Sequence, residues 1–227
     1  MKETVLITGS SKGLGRWLAN SFADNNYNII LHGRDIKALH EVKKEIMGKG
    51  VEVTVIIGDL KKNLTIDRLY YEAKKKDISV FINNAGTICP GVPLEQITEK
   101  NIEEILITNL CAPINLTQKV YTFFIKKGFG TIININSIIG LEFKKLRTLS
   151  CAAKWGLNAF SNSLKLEAKE KNIRVLDIYP SRIKTRQEYS QYGWDPMEIS
   201  NKIYKAYEDT TLDSLILDNR PAEYKQK

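Results

Sequence analysis

Seven short apolar runs alternating with longer segments of helical spacing constrain the fold of this chain more than any other feature. The runs occupy 4–8, 28–32, 51–57, 79–82, 130–136, 174–179 and 212–217. They are unbroken stretches rich in Val, Ile and Leu rather than alternations of apolar and polar residues. Unbroken runs suit strands covered on both faces of a parallel sheet. Helical spacing occupies 13–24, 35–48, 63–76, 100–127, 150–171 and 196–209. This alternation predicts an α/β fold, a doubly wound parallel sheet of about seven strands with helices on both faces. Right-handed crossovers then set the loops that leave the strands along one edge, where such sheets bind ligands.

A chain of 227 residues with 43% apolar content fits one domain, 1–227, with a full core. No Pro/Gly/Ser-rich linker and no internal repeat divides it. The first apolar run is too short for the core of a signal peptide, and no run reaches the ~18 residues of a membrane span. A cytoplasmic location without a membrane partner is expected. The three cysteines, Cys89, Cys111 and Cys151, share no CxxC spacing, which fits a reducing compartment. His32 and His40 form no ligand pattern, and no metal is expected. The net charge of +8 is spread over pairs such as Lys43–Lys44 and Lys126–Lys127 on helical segments with interleaved glutamates. That pattern is a solvated surface, and nucleic acid is not an expected partner.

The first run ends in Thr8-Gly9-Ser10-Ser11-Lys12-Gly13-Leu14-Gly15, and Leu14, Trp17, Leu18 and Phe22 continue it at helical spacing. Glycines here let the backbone turn tightly and approach a pyrophosphate, whose charge the free N–H groups of the helix start then bind. The spacing is G-x-x-x-G-x-G. With Thr8 before it, this turn resembles that of the short-chain dehydrogenase/reductase family, in its short, non-extended branch. Further motifs appear in the same order: Asn83-Asn84-Ala85-Gly86 after the fourth run, Asp59 in Gly58-Asp59-Leu60 after the third, Asn109, Ser137, Lys154, and Pro180-Ser181 with Ile183 and Thr185. The match covers about residues 3 to 217.

The resemblance implies a Rossmann-like domain that binds a nicotinamide dinucleotide and exchanges hydride with a carbonyl or alcohol. It implies cofactor contacts from Gly9, Ser11, Lys12, Gly13, Leu14, Gly15, Asp59, Leu60, Asn83, Ala85, Gly86, Lys154, Pro180, Ile183 and Thr185. Asp59 would meet the adenine amino group. Ser137 would hold the substrate oxygen, Lys154 the nicotinamide ribose, and Asn109 a water that links the lysine to solvent.

The position that would select NAD, an acid ending the second run, is Gly33 followed by Arg34. No carboxylate stands there to repel a 2′-phosphate, and Arg34 can fork onto one with Lys12 close by. NADP is therefore the expected cofactor. NAD is the alternative, if the register slips so that Asp35 holds the ribose.

The family places a tyrosine four residues before its lysine. Here that position is Ser150, within Ser150-Cys151-Ala152-Ala153-Lys154. The phenol is the proton donor, because its pKa of ~10 can be lowered by a nearby ammonium. A serine hydroxyl is shorter and far less acidic, so it fails on reach before acidity matters. Three readings stay open: a reductase whose proton comes through water on Ser150 and Lys154, or from Tyr189 or Tyr192; a dinucleotide-binding sensor or partner subunit with little turnover; or an active reductase into which serine was introduced. Cys151 reads as packing, with no histidine near it in sequence to activate it.

The substrate lid is expected at about 181–199, with Tyr189, Tyr192 and Trp194 in it. Lys144, Lys145 and Arg147 lie between Ser137 and Ser150 and would favour an anionic or sugar-linked carbonyl or alcohol substrate. The segments 100–127 and 150–171 carry more apolar surface than one sheet face needs. A homodimer or homotetramer is expected.

Overall fold

The structure is a computed structural model that describes residues 2–89, 91–185, 193–222 and 225. Seven parallel strands form one sheet: β1 Thr4–Ile7, β2 Asn28–Gly33, β3 Val53–Ile57, β4 Val80–Asn83, β5 Gly130–Ile135, β6 Ile173–Pro180 and β7 Ser214–Leu217, in the order β3-β2-β1-β4-β5-β6-β7. Successive side chains of a strand point to opposite faces. Val5 and Ile7 accordingly face one layer and Leu6 the other, all three fully buried. Both faces being covered is the reason the runs read as unbroken apolar stretches.

Helices α1 Gly13–Asp24, α2 Ile36–Met47 and α7 Pro196–Glu208 cover one face. Their inward stripes are Leu14, Leu18 and Phe22; Leu39, Val42 and Ile46; and Ile199 and Ile203. Helices α3 Asn63–Lys75, α5 Ala112–Lys127 and α6 Thr148–Ala168 cover the other face, with Leu69, Leu116, Val120, Phe124 and Leu164 among the buried residues. No helix among the described residues is long and apolar enough to cross a membrane.

The expected helix 100–127 is interrupted. Its observed parts are α4 Glu99–Leu106, a π-helical turn Ile107–Cys111, and α5. Pro113 accounts for the break. It lacks the N–H that the Asn109 carbonyl would accept in a regular helix, and its ring crowds that carbonyl. The other expected elements lie within three residues of those observed; the largest difference is at the end of α6, which stops at Ala168 where a 3-10 turn Lys169–Lys171 completes the expected 150–171.

One polar seam crosses the buried sheet. Asn83, Asn134 and Asp177 are register neighbours on β4, β5 and β6. Asn83 Nδ2 donates to Asn134 Oδ1 (2.9 Å) and Thr117 Oγ1 (2.8 Å), while Asp177 accepts from Ser161 Oγ (2.5 Å) and pairs with Lys165 Nζ (2.8 Å). Each group finds partners in neighbouring strands and in α5 and α6, which is what permits polar side chains at this depth.

Candidate active site

A cleft of about 500 Å³ runs along the carboxyl edge of the sheet, lined by the segments that leave β1 through β6. The order of the strands reverses between β1 and β4, and the cleft crosses that switch point, the usual ligand position in such sheets.

At the switch point two turns interlock. Thr8 Oγ1 accepts from the N–H groups of Asn84 (3.0 Å) and Ala85 (3.1 Å), and Asn84 Nδ2 donates to Thr8 O (2.9 Å) and Gly9 O (3.0 Å). The fit leaves no room for side chains. A Cβ on Gly9, whose φ is +66°, would stand 2.7 Å from Ala85 Cα, and one on Gly15 would stand 2.3 Å from Gly9 O. The glycines are therefore required by close approach. No side chain caps the start of α1 and its first turn carries no acid, so its N–H groups and partial positive charge are available to an anion.

Beyond this cradle β2 ends at Gly33, and Arg34 lies on the cleft wall with its side chain 68% exposed. Its Nη1 is 4.0 Å from Asp59 Oδ2, and Lys61 Nζ is 3.8 Å from the same oxygen. Asp35 is not among the lining residues; its Oδ1 caps α2 by accepting from Ala38 N at 3.1 Å. His32 sits beneath. It accepts from Gly9 N at Nδ1 (3.4 Å), so Nε2 carries the proton and donates to Gly58 O (3.2 Å). Burial lowers its pKa to about 4, against a smaller opposing pull from the Gly58 carbonyl, and the ring is neutral at pH 7.

At the other end Ser137, Ser150, Lys154 and Asn109 line the same cleft. Ser150 lies in the first turn of α6, and Lys154 follows one turn later on the same face. Lys154 Nζ donates to Ile135 O at 3.0 Å, and its withdrawal from water lowers its pKa to about 8. The base of this helix is fixed by Asn136 Nδ2, which donates to Lys154 O at 3.2 Å. Ser137 Oγ makes two long contacts, to Pro180 O and from Ile139 N, both 3.4 Å. Asn109 uses both ends of its amide on the Thr87 backbone, accepting from N (2.7 Å) and donating to O (2.8 Å), and so braces the turn after β4. Across the cleft, Pro180 ends β6, and Ile183 and Thr185 follow it. That stretch is pinned by Lys184 N to Trp194 O and by Trp194 N to Arg182 O, both 2.8 Å.

Most residues expected from the sequence thus converge on one cleft: Gly9, Ser11, Lys12, Leu14, Gly15, Arg34, Asp59, Leu60, Ala85, Gly86, Asn109, Ser137, Ser150, Lys154, Pro180, Ile183 and Thr185. Two expected cofactor contacts do not line it. Gly13 is not among the lining residues, and a Cβ there would meet the side chain of Thr185, which is, at 3.2 Å. Asn83 points into the sheet, and its neighbour Asn84 lines the cleft instead. Lys145 also lies outside, whereas Lys144 and Arg147 line it. The sequence reading missed His32, Glu142, Arg182 and Arg220. His32 adjoins Gly33 and could have been found from that; Arg220 pairs locally with Asp218, but the contact that ties it to the cleft wall, with Glu142, spans 78 positions and leaves no sequence signal. No tyrosine is among the described residues that line the cleft, and Tyr189 and Tyr192 lie outside the described residues.

Residues 3–194 match the family model described as short chain dehydrogenase. The chain is 32% identical over 188 residues to the 3-oxoacyl-acyl-carrier-protein reductase FabG of Chlamydia trachomatis, covering 82% of this chain and 75% of that one. It is 29% identical over 220 residues to an NADP-dependent 3-hydroxy acid dehydrogenase of Schizosaccharomyces pombe, covering 92% of this chain and 82% of that one. Among solved structures, a bulky-bulky ketone specific alcohol dehydrogenase from Comamonas testosteroni superposes with a TM-score of 0.89 at 26% identity, over 97% of this chain and 88% of that one.

Proposed function

The chain belongs to the short-chain dehydrogenase family, and on that premise we propose that it is an NADP-dependent oxidoreductase, one domain with its lid near 181–199, whose proton delivery is weakened or rerouted at Ser150. The observation that carries this is a single cleft with an anion-binding glycine cradle at its centre and Ser137, Ser150 and Lys154 at one end.

The residues present fit the dinucleotide. The uncapped start of α1 suits its pyrophosphate. Gly33 puts no carboxylate beside the ribose, Asp35 is engaged as a helix cap, and exposed Arg34 can fork onto a 2′-phosphate. These features favour NADP over NAD, in line with the cofactor of the Schizosaccharomyces pombe relative. Asp59, Leu60, Ala85, Gly86, Pro180, Ile183 and Thr185 would form the remaining walls around it. When bound, NADPH supplies hydride to a carbonyl carbon.

The chain's own residues must then manage the charge that grows on the carbonyl oxygen. Ser137, whose present contacts are long, can exchange them for that oxygen. Lys154 places an ammonium near it, and a pKa of about 8 makes that ammonium a better proton source than an ordinary lysine. Ser150 is too short to bridge the two, and a water between Ser150 and Lys154 completes the relay. Asn109 supports the site by holding the Thr87 backbone. Because no described residue of the cleft is a tyrosine, a second reading is a dinucleotide-binding protein with little turnover.

The three cysteines are free, which fits a cytoplasmic location. Exposed Ile102, Ile125 and Leu166 on α4, α5 and α6 support a homodimer or homotetramer. The test is calorimetric titration with NADPH and NADH, followed by NADPH oxidation over a panel of carbonyls. Tighter NADPH binding with slow carbonyl-dependent oxidation is expected. Binding of neither nucleotide at millimolar concentration would refute the proposal.

A further inference from the structure

We propose that Arg220 is a positioning residue for the substrate end of the cleft: through Glu142 it fixes the stretch 138–147 that joins Ser137 to Ser150, and with it the place of a carbonyl between those two hydroxyls. The inference rests on the reductase reading and adds to that same site a residue far from it in sequence. Arg220 and Glu142 both line the cleft, as do Ser137 and Ser150.

The stretch 138–147 lies largely at the surface. A 3-10 turn, Ile138–Gly140, follows Ser137, and beyond it Leu141 and residues 143–146 are exposed. Segments with so little buried apolar surface open at low cost, and their order depends on specific ties. Asn158 Nδ2 donates to Gly140 O (3.0 Å), Trp155 Nε1 to Glu142 O (3.3 Å), and the Phe143 ring stacks on Trp155 at 4.8 Å. Ser137 Oγ itself is loosely held, so its direction follows the turn after it, where Gly140 N donates to Ser137 O at 2.9 Å.

Arg220 adds the one tie that reaches across the cleft mouth to the segment after β7. Glu142 accepts from Nη1 (2.6 Å) and Nη2 (3.0 Å), and Asp218 accepts from Nε (2.9 Å) and Nη2 (3.0 Å). These two forks use four of the five N–H donors of an arginine, so the side chain is committed to protein and its role is to hold rather than to bind substrate. The side chains of Arg220, Glu142 and Asp218 are only 7%, 14% and 17% exposed. At that depth a severed pair leaves a charge uncompensated, unlike a pair in open water. The segment is anchored in turn: Leu217 O accepts from Ser181 N and Trp194 Nε1, both 2.9 Å, and Ser181 Oγ donates to Asn219 Oδ1 at 2.8 Å. Ser181 lines the cleft beside Pro180. Arg220 thus joins the two walls of the substrate end, the stretch after β5 and the exit of β6, at a single point.

The test measures NADPH-dependent reduction of a carbonyl panel by the unmodified chain, Glu142→Ala, Arg220→Met and the double variant, with urea midpoints and amide exchange of the 138–147 peptide alongside. Carbonyl KM should rise about tenfold or more in each single variant, the cost of a misplaced wall, while KM for NADPH stays the same. Exchange at 138–147 should quicken. The double variant should be no worse than the more severe single one, because both remove the same link. Glu142→Gln, whose amide oxygen still accepts from Nη1, should recover part of the loss, whereas Arg220→Lys, whose ammonium cannot fork onto two carboxylates, should behave like Arg220→Met. Glu142→Ala leaves Arg220 paired with Asp218, so it decides the matter even where Arg220→Met fails to fold. An unmoved carbonyl KM in Glu142→Ala overturns the proposal, and with a lowered urea midpoint it marks a merely structural pair. Additive losses in the double variant, or an equal rise in KM for NADPH, also overturn it. Where the unmodified chain reduces carbonyls and Glu142→Ala matches it, the reductase reading stands and this inference falls; where the unmodified chain reduces none, both fall.

Discussion

Gly15→Ala probes the interlocked turns of the proposed cofactor cradle. The new Cβ would lie 2.3 Å from Gly9 O, 2.5 Å from Asn84 Nδ2 and 2.9 Å from Gly9 C. Unbonded carbon atoms normally rest ~3.5–4.0 Å from their neighbours, so α1 or the Gly9 turn must retreat by roughly 1 Å. Retreat of that turn draws Gly9 O and Thr8 O away from Asn84 Nδ2, which now bonds them at 3.0 and 2.9 Å. Losing two such bonds costs ~1 kcal/mol each, and overpacking adds ~1–3 kcal/mol, for about 3–5 kcal/mol in all. Gly48→Ala is the control. Nothing lies within 4 Å of that Cβ position, and the backbone there, at φ −64° and ψ −11°, suits alanine. It should gain ~0.4–1 kcal/mol, mainly by restricting the unfolded chain. Urea unfolding followed by circular dichroism, with NADPH titration of each variant, measures both effects. Gly15→Ala should unfold at much lower urea and bind NADPH about 100-fold more weakly, which corresponds to roughly 3 kcal/mol. A Gly15→Ala protein with an unchanged midpoint and unchanged NADPH affinity would refute the interlock.

Arg34→Ala should weaken NADPH binding by about 10–100-fold, the ~1.5–3 kcal/mol of a charge-assisted hydrogen bond, and leave NADH nearly unaffected; equal losses for both would remove Arg34 from the 2′-phosphate site. His32 makes stability pH-dependent. Its pKa falls from 6.5 to about 4 on folding, so the unfolded chain binds more protons in that interval and stability drops as pH falls through it. The loss should approach ~3 kcal/mol by pH 4, at 1.36 kcal/mol per unit. Urea midpoints between pH 4 and 7 should show this slope in the unmodified chain and a shallower one in His32→Gln; parallel slopes would contradict it.

What the sequence disclosed and what it concealed follow from range. Strands such as 28–32 and helices such as 13–24 are local patterns, set by burial on both faces or on one stripe, and they appear nearly where expected. The glycine turn was legible for the same reason, since Gly9 and Gly15 answer to contacts within one strand–turn–helix unit and its neighbouring turn. The π turn at Ile107–Cys111 was overlooked although Pro113 announced it, because apolar spacing continues through the break. Side-chain direction was harder still. Asn83 and Asn84 look equivalent in sequence, but pleating sends one into the sheet and the other toward the cleft. Lys144 and Lys145 divide in the same way. The Glu142–Arg220 bridge across 78 positions and the nearness of Arg182 to Lys144 depend on tertiary placement and leave no trace in any local window.

The central claim is that this cleft keeps a reductase's parts while position 150 lacks its proton donor. Ser150→Tyr tests it in one substitution, with NADPH-dependent reduction measured across a panel of carbonyls before and after. A general acid contributes ~10²–10⁴-fold, and a rise of that size in kcat/KM with little change in NADPH affinity is the predicted result. Unchanged rates in a folded, NADPH-binding Ser150→Tyr protein would contradict it.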